Sequence, residues 1–428
     1  MTGVATAPRP LMMLRLIAGR GSFRLAVQVM AVVLLAAWGA QAYGPFANAF
    51  GACSWLVFVP TAAEKAALKL VPRTRATTAA VAGVALRVAA APVPALLAPS
   101  VVVVLVAPDS AAALYLCTAV WWTGTGLLMT VSGLHRLSGR PALDAVAFGV
   151  AAALVAAATA VTWFAGLDPR THMLVLPAGI AVIVVAATVA LPRSWRRPRV
   201  APRRRLVRGF LRSTWLLGLS ELLDAATVSS VYLVLAAAGR VGDSGPFYLA
   251  MTVSAFLCSF LLYQLKLHQP AASVRLRGAG AAHGRARAVA LLRAVEWSGV
   301  GVGVALAAAL SLPAGRAVLT TSGGVSWFVV LAVLVLAEMV MAMLVMYAVF
   351  LVENTNSSVL RLTGSAAVIR FVANLLFAAA LVPALGAVGG FTAIMLGLAA
   401  KASALRRMLV RRHPELDAPL VGRSRNDE

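Results

Sequence analysis

The chain has 428 residues, of which 61% are hydrophobic and only 12% charged, with a mean hydropathy of +0.89. A water-soluble globule is typically about half apolar and about a quarter charged, so most of this length has no polar face to offer water. The net charge of +24 would suit a nucleic-acid partner, but the basic residues sit in short gaps between apolar stretches, and that class is set aside. Arginine greatly outnumbers lysine, and alanine and valine dominate. This is the pattern of a GC-rich bacterial coding bias, so an arginine by itself is weak evidence of function.

A crossing helix needs roughly 20 apolar residues. Such stretches predict spans at 23–43, 46–64, 78–107, 110–134, 143–166, 171–192, 213–238, 246–267, 288–312, 325–352, 358–382 and 386–405. The basic lead before the first span and Ala40-Gln41-Ala42 after it imitate a signal peptide, but its removal would leave an odd number of spans. The third span contains Pro92, Pro94 and Pro99, which predict a kink. Cys53, Cys117 and Cys258 fall inside apolar spans without metal-ligand neighbours and read as small core residues. No metal and no cofactor is expected.

The spans fall into two similar sets of six. Gly44-Pro45-Phe46 begins the second span and Gly245-Pro246-Phe247 the eighth. Each tripeptide follows an apolar helix and a short loop, and precedes an aromatic-dotted helix and a basic loop. The predicted fold is therefore all-α and polytopic, about twelve transmembrane helices in two pseudo-symmetric six-helix lobes, 1–200 and 201–428. Duplicated halves are typical of transporters, with the substrate path where they meet. A linker rich in arginine, Arg193 to Arg212, lies between them. An even span count puts both termini, the linker, the basic stretch from Lys65 to Arg75 and the tail from Lys401 on one side. The opposite side, with Asp168, Asp243 and Ser322, keeps only Arg170, Arg240 and Arg316. By the positive-inside rule both termini are cytoplasmic, in a bacterial cytoplasmic membrane.

The segment from Glu353 to Arg412 carries a family resemblance. Asn354-Thr355-Asn356-Ser357-Ser358 leads into an apolar helix with Asn374. Then come Val382-Pro383-Ala384-Leu385-Gly386-Ala387-Val388-Gly389-Gly390, a last helix, and Arg406-Arg407. This resembles the closing helices of the polysaccharide-transporter and Wzx-type flippases, in the superfamily that also holds MATE exporters and lipid II flippases. A Pro-x-x-Gly-x-x-Gly turn joins the last two helices there. The Gly-Pro-Phe helix starts are similar in pattern, whereas the acidic-aromatic character usual after Gly-Pro is absent. The resemblance implies a central cavity opening alternately to either side, with a polyprenyl-pyrophosphate-linked glycan as cargo.

No H-E-x-x-H, Walker A, dinucleotide turn or nucleophile elbow occurs. With outer loops of only a few residues, an enzyme is not expected. The candidates are the charges deep inside spans, which are costly there and normally face the bundle interior. Arg87 and Arg370, whose guanidinium groups suit a pyrophosphate, are candidate substrate ligands, together with Asn48 and Asn374. Glu221 and Asp224, three residues apart on one helix face, and Glu338 are candidates for coupling to a proton or sodium ion. The competing readings are that Asp224 or Glu338 simply pairs with an arginine, and that Asn48, Asn374, Tyr232 and Tyr263 join helices. Gly386 and Gly390, four residues apart, read as a close helix contact. Three functions stay open: a flippase for lipid-linked saccharides, a MATE-like cation-coupled exporter, and a non-transporting scaffold of a glycan-assembly complex.

Overall fold

The computed structural model describes residues 10–71, 77–198, 203–276, 279–320, 324–355 and 360–416. Ser322, Asn356, Ser357, Ser358, parts of the basic loop and linker, and the end of the tail lie outside the described residues. The described chain is helical throughout, with no strand. The helices are α1 Pro10–Cys53, α2 Phe58–Leu70, α3 Thr78–Ala90, α4 Pro92–Val106, α5 Ala111–Leu137, α6 Ala142–Ala165, α7 Pro169–Val189, α8 Arg193–Arg196, α9 Arg204–Ala237, α10 Ser244–Arg275, α11 Ala279–Ser311, α12 Pro313–Thr320, α13 Val325–Thr355 and α14 Leu360–Arg412.

Ten helical stretches are long and apolar enough to cross a membrane. Two of them are too long for one crossing. Leu14–Leu70 has 57 residues and Arg361–Arg412 has 52, about 80 Å each at 1.5 Å per residue, against a hydrocarbon core of about 30 Å. Both are broken by a glycine in a conformation closed to L side chains, Gly39 at φ 71 and Gly386 at φ 55. Each therefore has the length of two crossings, which gives twelve among the described residues. The third crossing is two helices, α3 and α4, with Pro92 at the start of the second, so the prolines bend it as expected. Apolar side chains such as Leu105, Phe164 and Val182 stay exposed on the outer faces, where a bilayer would cover them.

Left-handed glycines stand at matching places in the two sets of spans. Gly39 and Gly239 both have φ near 70 (71 and 72), and each stands just ahead of a Gly-Pro-Phe helix start. Gly166 at φ 65 and Gly386 at φ 55 likewise turn the chain between the fifth and sixth and between the eleventh and twelfth crossings. The first-half helices α1 to α7 pack mainly on one another, as do α9 to α14, and the halves meet where α1 and α2 lie along α9 and α10. At that seam Phe50 contacts Tyr248 with ring centroids 5.8 Å apart, and Tyr232 contacts Phe247 at 5.0 Å. The side opposite the termini thus holds an aromatic plug built from both tripeptide regions.

The few basic residues on that side are all in use. Arg170 pairs with Asp109 at 2.6 Å, Arg240 with Asp243 at 2.9 Å, and Arg316 caps the Leu310 carbonyl at 3.0 Å. Asp168 caps α7 by accepting from the backbone N–H of Arg170 and Thr171 and from the Thr171 hydroxyl. Slight burial raises its pKa, but these hydrogen bonds outweigh that and hold the carboxyl below its ordinary value.

Gly386 corrects one expectation. It is the break itself and not a helix-packing glycine, whereas Gly390 does pack tightly, with room for no side chain against Val231 and Phe247. A Cβ at Gly386 would also run into the Asp243 carboxylate. Gly386→Ala is expected to cost about 1–3 kcal/mol from the backbone alone. In thermal unfolding of the detergent-solubilised protein, Gly301→Ala, which meets nothing within 4 Å, should leave the midpoint unchanged or raised.

Candidate functional site

Helices α9, α10, α13 and α14 enclose a cavity of about 280 Å³, and α2 of the first half forms its remaining wall. The cavity lining mixes apolar side chains, among them Met251, Leu262, Val345 and Val349, with three cations and four carboxylates. Lys65 on α2 lies 3.0 Å from Glu353 and 3.2 Å from Glu221, and donates to the Leu217 carbonyl at 3.3 Å. Deeper in, Asp224 is shared by two cations, Arg370 at 2.9 Å and Lys401 at 2.5 Å. Glu338 faces them from α13 and accepts a hydrogen bond from Ser254 at 2.5 Å. Charges buried this way need partners, because desolvation otherwise outweighs any gain.

Several nominated residues therefore meet. Glu221, Asp224, Glu338 and Arg370 all line one cavity, and the partner of Arg370 is Asp224 and not Glu338. Glu221 and Asp224 share a helix face as their spacing requires, yet serve different cations. Arg87 is placed elsewhere. It lies exposed on α3 with its Nε on the Gly83 carbonyl of its own helix, so the expectation that it faces the cavity is corrected. Its long side chain keeps the charge at the outer surface. Asn48 and Asn374 do not line the cavity either. The Asn48 amide donates to the Tyr232 carbonyl at 2.9 Å and to Ser244 at 2.8 Å, and the Tyr115 hydroxyl donates to its oxygen. The Asn374 amide donates to the Thr227 carbonyl at 3.1 Å. Both asparagines join helices, as the competing reading had it.

Sequence reasoning missed Lys65, Glu353 and Lys401. Its basic neighbours place Lys65 in a loop by sequence, but α2 runs on to Leu70 and Lys65 is 6% exposed. Lys401 was counted with the tail, but it is fully buried. One signal was available: among 38 basic residues the only lysines are Lys65, Lys69, Lys266 and Lys401, so a lysine in this chain resists the prevailing bias.

A second buried network, also missed, occupies the first half. Arg20 and Arg136 each pair with both Glu64 and Asp144, at 2.7–3.7 Å. The ring ties α1, α2, α5 and α6 together. Tyr263 of the second half lies over Arg20 at 4.9 Å. A smaller cavity of about 100 Å³ lies against this ring and shares Phe58 and Leu262 with the larger one. Glu64 and Lys65, adjacent in sequence, thus point into the two networks from one helix.

Cys258 lines the larger cavity and is partly exposed, whereas Cys53 and Cys117 are buried. N-ethylmaleimide is therefore expected to modify Cys258 at least about tenfold faster than the other two, since reactivity follows access. Peptide mass spectrometry reads the three rates separately. Equal rates would mean that the cavity is closed to small molecules.

No family model matches the chain, and no curated protein matches it. The fold, however, is known. An inward-facing multidrug-resistance MATE transporter of the MOP superfamily superposes with a TM-score of 0.56 at 17% identity, over 95% of this chain and 99% of that one. An outward-facing structure of a MATE transporter of the same superfamily gives 0.57 at 15%, over 95% and 96%. A MOP-superfamily transporter from Pyrococcus furiosus, described as having a binding pocket of reversed polarity, gives 0.54 at 14%, over 95% and 96%. The chain is thus a multi-pass, all-α membrane protein with the fold of these transporters.

Proposed function

We propose that this protein is a membrane transporter working by alternating access, and that its cargo is a lipid-linked saccharide for cell-envelope or exopolysaccharide assembly. The observation that supports the cargo reading is that the cavity lining combines the buried cations Lys65, Arg370 and Lys401 with aliphatic side chains such as Leu262, Val345 and Val349. That combination suits an amphiphile with a phosphate-bearing head and a hydrocarbon chain. The two halves, 1–200 and 201–428, rock about the seam formed by α1, α2, α9 and α10. The solved MATE structures, with inward-facing and outward-facing forms of the fold, support this motion as a reading by analogy. The deciding assay is translocation of polyprenyl-pyrophosphate-linked glycan in vesicles carrying the purified protein. No movement above protein-free vesicles would remove the proposal.

A second reading is a MATE-like exporter of small cations. Glu221, Asp224, Glu338 and Glu353 line the same cavity and would serve a cation and a coupling proton or sodium ion. Efflux of a lipophilic cation that lipid-linked glycan does not inhibit would favour this reading.

The protein sits in the bacterial cytoplasmic membrane with both termini and the Arg193–Arg212 linker in the cytoplasm, because that places nearly all basic residues on one side. Reporter fusions at Asp168 and Asp243 are expected to report the outside. A cytoplasmic signal at either position would overturn this orientation.

A further inference from the structure

The inner end of the cavity holds an unequal set of charges. Arg370 and Lys401 converge on the two oxygens of Asp224, at 2.9 and 2.5 Å. Among the described residues Asp224 is the one carboxylate within ion-pair distance of either cation. The Nε of Arg370 is buried without a hydrogen-bond partner. All three side chains line the cavity. Within the triad two cations meet one acid, whereas Lys65 meets two, Glu221 and Glu353, so the positive surplus is local to Arg370 and Lys401, and an anionic group seated against them would balance it.

Other ionisable groups face this triad from the surrounding helices. Glu221 lies one turn earlier on α9 and is paired with Lys65 of α2, as is Glu353 of α13. Glu338 of α13 is held by Ser254 of α10, which also contributes Cys258. Within the triad the choices are few. Protonating Asp224 would leave Arg370 and Lys401 side by side with no counter-charge. Arg370 keeps its proton at any accessible pH. Loss of a proton from Lys401 leaves Arg370 and Asp224 as a balanced pair, and its neutral amine still reaches the carboxylate. Lysine, unlike arginine, exchanges its proton readily when buried, and this is one of only four lysines among 38 basic residues.

We propose that Lys401 is the proton-exchanging group of this site, charged while an anionic head-group occupies the cavity and neutral when the head-group leaves. The proposal rests on the reading that the cargo is anionic, and it places proton uptake and cargo binding on the same side of the equilibrium. A cationic cargo would do the opposite and displace a proton.

The test uses the full chain in a non-ionic detergent, with farnesyl pyrophosphate as the probe. Measurements run from pH 8 to 10, above the phosphate titration near pH 6. Titration calorimetry in two buffers of different ionisation enthalpy counts the protons taken up on binding. The wild type is expected to take up protons and to lose affinity as the pH rises, by up to about tenfold per pH unit. Lys401→Arg should bind with no proton uptake and no pH slope. Lys401→Gln, which keeps the site folded around the Arg370–Asp224 pair, should bind more weakly and also without slope. Binding to the wild type without proton uptake, or a slope retained in either variant, overturns the assignment to Lys401 while the anionic cargo stands. Failure of farnesyl pyrophosphate to bind at any pH, with tetraphenylphosphonium binding instead, overturns both the cargo reading and this proposal.

Discussion

Arg370→Gln is expected to slow translocation of lipid-linked glycan by about a hundredfold or more, with expression and insertion unchanged. Removing one partner of a buried charged contact costs about 2–5 kcal/mol, and about 1.4 kcal/mol is tenfold. Folding survives because Asp224 keeps Lys401 at 2.5 Å, so no charge is stranded. Arg370→Lys should restore only part of the rate, since a point charge cannot make the two-pronged contact a guanidinium makes with phosphate. Arg87→Gln serves as the comparison. Arg87 is exposed on α3, where its Nε donates to the Gly83 carbonyl of its own helix, so transport should stay near the wild-type rate. Unchanged transport in Arg370→Gln, measured in vesicles of equal protein content, would leave Arg370 with a structural role alone.

The second large effect falls on stability and belongs to Asp224. Asp224→Asn leaves the buried Arg370 without its counter-charge and Lys401 without its acceptor, whereas losing either of these partners leaves the other contact intact. Breaking a buried ion pair by removing one partner costs about 3–5 kcal/mol, and Asp224→Asn should reach that range. Arg370→Gln and Lys401→Gln should each cost clearly less. The double variant Asp224→Asn/Lys401→Met should recover part of the loss, because it removes a buried amine left without its acceptor. Thermal unfolding in detergent gives the order. A loss below about 1 kcal/mol for Asp224→Asn would show that water reaches the triad and screens it.

The candidate site was legible in the sequence only where a charge interrupts an apolar run. Glu221, Asp224, Glu338 and Arg370 stood out for that reason, and all four line the cavity. Arg87 stood out equally and does not belong, because span position says nothing about which face of a helix a residue takes. Lys65 and Lys401 were hidden by their neighbours. Each lies within six residues of further basic side chains, Lys69 and Arg406, so each read as part of a charged helix end. Glu64, Arg20, Arg136 and Asp144 were hidden in the same way near the edges of apolar stretches.

The helical, membrane-spanning character of the chain and the approximate number of its crossings were legible in the sequence, and so was the pairing of Gly-Pro-Phe starts. Those properties follow from apolar length, from the order of basic loops and from the tripeptides themselves, all of which are local. Which buried charges meet was not legible in the sequence and came from the folded arrangement. Lys65 reaches Glu353 across 288 residues and Lys401 reaches Asp224 across 177. Such pairings depend on the rotation and depth of whole helices, which are set by packing against neighbours and not by the residues that carry the charge.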